Sequence, residues 1–193
     1  MPSITDYSQV LARLRADGLI CNYPNGGSFG LPGQVQPLIR GWIGPDDPTI
    51  RPNMLPFTQR VPNPYESNLA RRAVEFWTGS FSSPAWLMPA AHWAFELDHG
   101  HGPWLDPLLV ELGIHPSSLT GRNNAAAIEF LAGEHARFET AIVRLLENLS
   151  ASDFTIAFPG HPIVCMIHHH KQLWWMTADP VLYDRICLPN VHR

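Results

Sequence analysis

The chain carries the same order of elements twice, about 70 residues apart. Residues 73–77 and 142–146 both have the pattern of an amphipathic helix end. A polar loop follows each helix and leads into two apolar runs that are split by a proline turn, at Pro89 in the first copy and Pro159 in the second. A duplicated unit predicts two related halves, and ligands often bind in the crease between such halves.

Each copy is predicted to contain a strand, a helix, two strands and a closing helix. The predicted fold class is α+β, a single domain over 1–193 with the internal repeat at 55–113 and 124–187. We expect the two β-α-β-β halves to form an antiparallel sheet with helices packed on one face. An N-terminal helix and a proline-rich wrap at 19–62 complete the domain.

The N-terminal helix is predicted to be capped by Ser3 or Thr5 and to end at Gly18. The following segment, 19–62, is rich in proline and glycine. Proline removes a hydrogen-bond donor and fixes φ, so this segment should contain neither long helices nor central strands. Its aromatic residues, such as Trp42, favour an ordered wrap over the core.

Prolines also mark helix starts. Asn63 is predicted to cap the helix of the first copy, with Pro64 at the first helical position. The closing helices should begin at Pro107 and Pro180, each preceded by aspartate.

The second hairpin has a testable register. With Pro159 and Gly160 at the central turn positions, Ile156 should face Ile163 and Phe154 should face Cys165. Because side chains alternate across a strand, these apolar residues share one face. The other face takes smaller and more polar residues, namely Thr155, Ala157, Val164, Met166 and His168.

The same rule applied to Pro89-Ala90 predicts a hairpin in the first copy. It places Trp86, Met88 and Trp93 on the bulky face that packs on the helices. His92, Glu96 and Asp98 then fall on the second face, together with Glu129 and His168 or His170 of the other copy.

Composition excludes several classes of function. A net charge of -4 gives no basic surface for nucleic acid. No apolar run approaches the roughly 18 residues of a membrane span, and the N-terminus lacks a signal-peptide pattern. Three widely spaced cysteines favour neither disulfides nor a Cys-x-x-Cys site. We therefore expect a cytoplasmic protein, and a homo-oligomer is compatible with the sequence.

Histidines are concentrated near the C-terminus. His168 and His170 lie two apart on a predicted strand and can point to one side, where Glu129 is the predicted carboxylate. Imidazole is the commonest metal ligand, so this set predicts a site for Zn or another divalent metal. The 98–102 segment, with His99 and His101, is a second candidate, although its glycines also suit a tight turn.

The second sheet face is also a candidate ligand surface. Glu96 interrupts an apolar run, and a buried carboxyl is suited to binding or general-acid use. His92, Asp98 and His168 would add polar contacts. Because Trp174 and Trp175 alternate, one of them must face away from the core, and we expect Trp174 to stack on a ligand.

The doubled strand-helix-strand-strand order over roughly 55–190 resembles the gyrase-inhibitor-like effector-binding domains. In that family two halves form a concave sheet that binds small, often apolar or cationic molecules, with an acidic residue in the cleft. The resemblance implies that Glu96 is that acid.

A second resemblance concerns 162–176, with His168-His169-His170. It is similar to the last helix of the DinB-like metal-binding four-helix bundles, which implies an earlier histidine ligand, His92 or His99. The β-branched residues and prolines of this chain favour strands instead.

No motif specifies a reaction or a catalytic residue, so three alternatives stay open. The first is small-molecule binding on the second sheet face. The second is a metal-dependent enzyme of the hydrolase type that uses His168, His170 and a carboxylate. The third is a protein-interaction module formed by the proline-rich wrap and exposed aromatic residues.

Overall fold

The computed structural model of the protein describes residues 1–21, 29–30, 36–43 and 58–187. The strands in these ranges are β1 (Ser3–Thr5), β2 (Ile20–Cys21), β3 (Phe29–Gly30), β4 (Leu38–Ile43), β5 (Thr58–Arg60), β6 (Ala85–Pro89), β7 (Ala127–Phe130), β8 (Phe154–Ala157), β9 (Ile163–His168) and β10 (Gln172–Thr177). The α-helices are α1 (Tyr7–Ala16), α2 (Tyr65–Ser80), α3 (Trp93–Glu96), α4 (Gly102–Glu111), α5 (His135–Asn148) and α6 (Pro180–Cys187). A π-helical turn, Leu97–His101, joins α3 to α4.

Eight strands form one mixed sheet in the order β1-β7-β6-β8-β9-β10-β4-β5. The described pairs of this sheet are antiparallel except β4 and β5, which run parallel. The predicted α+β class is therefore confirmed. Among the described helices, none is long and apolar enough to cross a membrane.

Four helices, α2, α4, α5 and α6, pack on one face of the sheet and form the main core with it. On α5 the buried residues Phe138, Ile142 and Leu145 recur at helical spacing, which places them on one stripe. They belong to the same buried cluster as strand residues such as Ile156 and Trp175, which are 0% exposed. Each such apolar side chain contributes about 1.5–3 kcal/mol when it is fully buried.

The N-terminal helix α1 packs on the opposite face. Its Val10 and Leu14 form a second buried cluster with Trp86, Met88 and Val164. Asp6 caps this helix through a hydrogen bond from Ser8 N to Oδ1. The predicted caps, Ser3 and Thr5, lie instead in β1, which pairs with β7.

The strand predicted to follow the Pro89-Ala90 turn in the first copy is wrong. Trp93–Glu96 is helical, and His92 caps this turn because its Nδ1 accepts a hydrogen bond from Phe95 N at 3.0 Å. Without a hairpin, the faces of β6 are set by its neighbours β7 and β8. Trp86 pairs with Ala157, so Trp86 and Met88 lie on the α1 side and not on the predicted helix side.

The second hairpin is confirmed, but its register differs from the predicted one. Ile156 pairs with Cys165 and Phe154 pairs with Ile167, because residues 158–162 form a longer loop than a two-residue turn. The register is shifted by two residues, so each side chain stays on its predicted face of the sheet. Ile156 and Cys165 lie in the main core, whereas Ala157 and Val164 lie on the α1 side. Gly160 has φ +96, as a turn glycine should.

The predicted helix starts have mixed outcomes. The helix α6 begins at Pro180, and Asp179 accepts a hydrogen bond from Val181 N, as expected. In α2, Pro64 is the extended cap residue and the helix begins one position later. The helix α4 begins at Gly102, ahead of Pro107, which lies inside it.

The expectation that 19–62 holds no central strand is wrong for Leu38–Ile43. This proline-free stretch forms β4, which pairs with β10 on one side and β5 on the other. Residues 22–28, 31–35 and 44–57 lie outside the described residues, and the wrap predicted for them stays a prediction.

Candidate functional site

Three consecutive histidines lie at the end of β9 and in the turn that connects it to β10. His168 is the last residue of β9, and His169 and His170 lie in the turn that leads to Gln172 of β10. Each residue offers one ligand atom, and these atoms lie within 4.8 Å of one another. His168 and His169 are half-buried and His170 is exposed, so solvent reaches the group. We call His168, His169 and His170 the histidine turn.

The backbone of this hairpin brings the imidazoles together. A three-residue connection typically ends in a left-handed residue, and Lys171 has φ +59. The rings of His168 and His169 lie 4.2 Å apart at 24°, and those of His169 and His170 lie 4.2 Å apart at 54°. A strand would point neighbouring residues to opposite sides, so only the turn allows all three to converge.

Asp153, the residue that precedes β8, orients the histidine turn. Its Oδ1 accepts a hydrogen bond from His169 N at 3.0 Å and lies 2.8 Å from His169 Nδ1. A carboxylate at Nδ1 favours a proton on that nitrogen and leaves Nε2 for a metal. The other oxygen of Asp153 lies 4.0 Å from His168 Nε2.

Trp174 lies beside the histidine turn. Its ring stacks on His168 with a centroid distance of 5.5 Å and an angle of 22°. Trp175 is 0% exposed and packs in the main core, so Trp174 is the one that faces away from that core, as alternation predicted. His168 also points away from it, because its neighbour Ile167 belongs to the core.

A second polar cluster lies on the helix side of the sheet. Glu96 is 0% exposed, and its Oε2 lies 2.8 Å from His101 Nδ1. Ser152 Oγ donates to the same carboxylate oxygen at 2.9 Å. At the other ring nitrogen, His101 Nε2 lies 3.1 Å from the carbonyl oxygen and 3.4 Å from the hydroxyl of Ser150.

The structure thus separates the residues predicted to form one ligand surface. His168 and Trp174 are together. Glu96 belongs to the buried cluster with His101, and His92 caps α3. Asp98 is exposed on the π-helical turn.

The structure also separates the residues that were predicted to bind a metal. Glu129 accepts a hydrogen bond from Trp86 Nε1 at 2.9 Å on β7, which is separated from β9 by β6 and β8. Three strand spacings amount to roughly 14 Å, too far to join His168 and His170. The side chain of His99 lies outside the described part of the chain.

Sequence reasoning missed His169 and Asp153. Alternation placed His169 on the wrong side of a strand, whereas it lies in the turn. The observed register, extended by one pair beyond Phe154 and Ile167, sets Asp153 opposite His168. The shorter predicted turn would have set it opposite Met166, so only the correct loop length could have revealed the carboxylate.

Two surface grooves lie on the helix side. One of about 400 Å³ follows α5 past Glu139, Val143 and Arg144, and one of about 70 Å³ lies beside Trp77 and His135. Neither is lined by Glu96, His168 or Trp174. These grooves therefore add nothing to either polar cluster.

Comparison of the chain with protein-family models, with curated proteins and with solved structures gives no match. The resemblance to gyrase-inhibitor-like domains stays a prediction. The DinB-like interpretation of 162–176 is wrong, because this segment forms β9, a turn and β10 and not a helix.

Proposed function

We propose that this protein binds a divalent transition-metal ion through the histidine turn. The observation that carries the proposal is the convergence of three imidazoles within 4.8 Å. A cluster of three imidazoles without a thiolate suits Zn²⁺, Cu²⁺ or Ni²⁺, whereas Mg²⁺ and Ca²⁺ prefer oxygen ligands.

Binding requires a small closure of the rings. Nitrogens at about 2.05 Å from a tetrahedral ion lie roughly 3.4 Å apart. The ligand atoms must therefore approach by up to about 1.4 Å from their 4.8 Å limit. The exposed His170 has room for such a change of rotamer, whereas Asp153 holds the ring of His169 in place.

Coordination of a metal by His168 has a specific free-energy cost. Its Nδ1 accepts a hydrogen bond from His170 N at 3.2 Å, which favours a proton on Nε2. Coordination through Nε2 would move that proton to Nδ1 and lose this hydrogen bond, worth about 1 kcal/mol. Asp153 offsets part of the cost because it already holds His169 in the tautomer that a metal needs.

Calorimetric titration of tag-free protein with Zn²⁺ tests the proposal. We expect one equivalent to bind, and the double variant His168→Ala/His170→Ala to weaken binding at least about 10-fold because two of three ligands are lost. Asp153→Asn should weaken it by roughly 10-fold or more through the orientation of His169.

His135→Ala is the matched control, since it removes an exposed imidazole of α5 that contacts Trp77. This variant should bind zinc as the wild type does. The proposal fails if the wild type takes up no zinc, or if the double variant binds it with unchanged affinity.

A second candidate function, small-molecule binding, is supported by Trp174. Its half-buried ring shares one sheet face with the half-buried Met166 and Met176, which gives a planar ligand an apolar surface beside His168. A ligand screen by thermal shift in the presence of a chelator tests this candidate separately from metal. Hits that persist in Trp174→Ala would contradict it.

A further inference from the structure

The buried cluster around Glu96 is not used by the metal site. We propose that it is an acyl-transfer site in which Ser150 is the nucleophile, His101 the general base and Glu96 the carboxylate that holds the imidazole. The inference is independent of the proposed metal function, since none of these residues belongs to the histidine turn.

The distances fit the roles. Glu96 Oε2 lies 2.8 Å from His101 Nδ1, and Ser150 Oγ lies 3.4 Å from Nε2, on the opposite edge of the ring. A carboxylate, an imidazole and a hydroxyl in this order form the arrangement that activates serine, and the base–nucleophile contact is often long before substrate binds. Ser152 differs, because its hydroxyl donates to the carboxylate.

The burial of the three side chains also agrees with their proposed roles. The side chains of Glu96 and His101 are 0% and 6% exposed, whereas Ser150 is exposed at the surface where a substrate can reach it. Glu96 Oε1 is buried with no hydrogen-bond partner among the described residues. An unsatisfied buried acceptor is rare in folded proteins and requires an explanation such as a functional role.

The backbone beside the nucleophile is strained. Ala151 has φ +57, a left-handed conformation that alanine seldom adopts. Strain of this kind clusters at functional sites, where the surroundings impose it. Here Leu149 and Phe154 are buried in the main core on either side, and they fix the loop that presents Ser150.

The carbonyl oxygen of Ser150 explains how the charged imidazole is stabilised. When the hydroxyl proton of Ser150 passes to Nε2, the ring becomes an imidazolium with two donors. Nδ1 then donates to Glu96 Oε2 at 2.8 Å and Nε2 can donate to Ser150 O at 3.1 Å. Both acceptors are already in place, so the charge forms without rearrangement of the ring.

The substrate class is an ester with an apolar acyl group. The partly buried ring of Trp104 lies 5.4 Å from that of His101 and offers an apolar wall beside the reacting atoms. Ser150 Oγ bonds to the ester carbonyl carbon while its proton moves to His101 Nε2. The bond to the leaving alcohol then breaks, and the alcohol takes that proton. Water releases the acid by the same two transfers and restores Ser150.

A fluorophosphonate probe tests the inference, since it forms a bond between Ser150 Oγ and phosphorus as fluoride leaves. We expect one adduct per chain, mapped to Ser150 by peptide mass spectrometry and formed equally in the presence of a chelator. Ser150→Ala should lose it, and His101→Ala should slow its formation at least about 100-fold.

Ser82→Ala is the control, because this exposed serine lies in the loop after α2, as Ser150 lies in the loop after α5. This variant should react with the probe as the wild type does.

The inference is overturned if no adduct forms at millimolar probe, if the adduct maps elsewhere, or if His101→Ala reacts with the probe at the wild-type rate. Since Ser150 is exposed, Ser150→Ala should fold even if His101→Ala does not. A fall in zinc affinity would concern only the metal proposal.

Discussion

Two consecutive residues, Ser152 and Asp153, take part in different clusters. Ser152 donates to Glu96 on the helix side of the sheet, whereas Asp153 holds His169 of the histidine turn. Successive side chains in an extended segment point to opposite sides, which explains the separation. One short loop therefore positions groups of both candidate sites.

At the same scale, His161 makes stability depend on pH. Burial lowers the pKa of its imidazole, the cation of Arg13 lowers it further, and Asp17 raises it in part. The folded protein then holds the proton less tightly than the unfolded chain, whose ordinary value is 6.5. The contribution of neutral His161 is complete above about pH 7.5 and is lost as the pH falls through 6.5 towards the lower folded pKa.

We predict that His161→Phe flattens the fall in unfolding free energy between about pH 7.5 and pH 5. Phenylalanine keeps the ring beside Phe81, whose centroid lies 4.0 Å from that of His161, but it takes up no proton. Urea unfolding at several pH values measures the slope. An unchanged slope would show that His161 contributes nothing to it.

At the scale of elements, the β9–β10 hairpin depends on Lys171. This residue adopts φ +59 at the end of the turn, and its ammonium group donates to Glu66 Oε1 of α2 at 2.8 Å. The hydrogen bond to Glu66 raises the pKa of Lys171, so the cation persists throughout the neutral range. The side chain thus anchors a strained turn to a helix.

We predict different changes in stability for two substitutions at Lys171. Lys171→Gly loses an ion pair worth up to about 1 kcal/mol but relieves left-handed strain of similar size, so stability should change by less than about 1 kcal/mol. Lys171→Val loses the ion pair and places a β-branched residue at positive φ, which should destabilise the protein by about 2 kcal/mol. Equal unfolding free energies for the two variants would contradict this account.

The elements that could be predicted are those with unambiguous local patterns. Phe154, Ile156 and Cys165 alternate with small residues, and the strands β8 and β9 and their faces followed from that alternation. In the first copy, Trp93 and Phe95 alternate in the same way, yet Trp93–Glu96 is helical. Four residues are too few to separate a period of 2 from one of 3.6. In the structure, His92 caps this helical turn through a hydrogen bond from Phe95 N.

At the scale of the molecule, the sheet order depends on pairings between distant residues. β1 pairs with β7 at one edge of the sheet, and β4 lies between β10 and the other edge strand, β5. Both β1 and β4 come from segments that precede the predicted halves, whereas β5 lies within the first of them. No local pattern encodes such pairings. His168 and Trp174 lie on neighbouring strands of one hairpin and could be placed together from sequence, whereas Glu129, on the distant strand β7, was wrongly added.

The central claim is that a metal ion binds at the histidine turn, and anomalous diffraction at the zinc edge tests it most directly. Crystals of tag-free protein grown with one equivalent of zinc should show an anomalous peak between the imidazoles of His168, His169 and His170. The same crystals of His168→Ala/His170→Ala should lack it. Zinc bound only at other residues, or no peak at the turn in the wild type, would contradict the account.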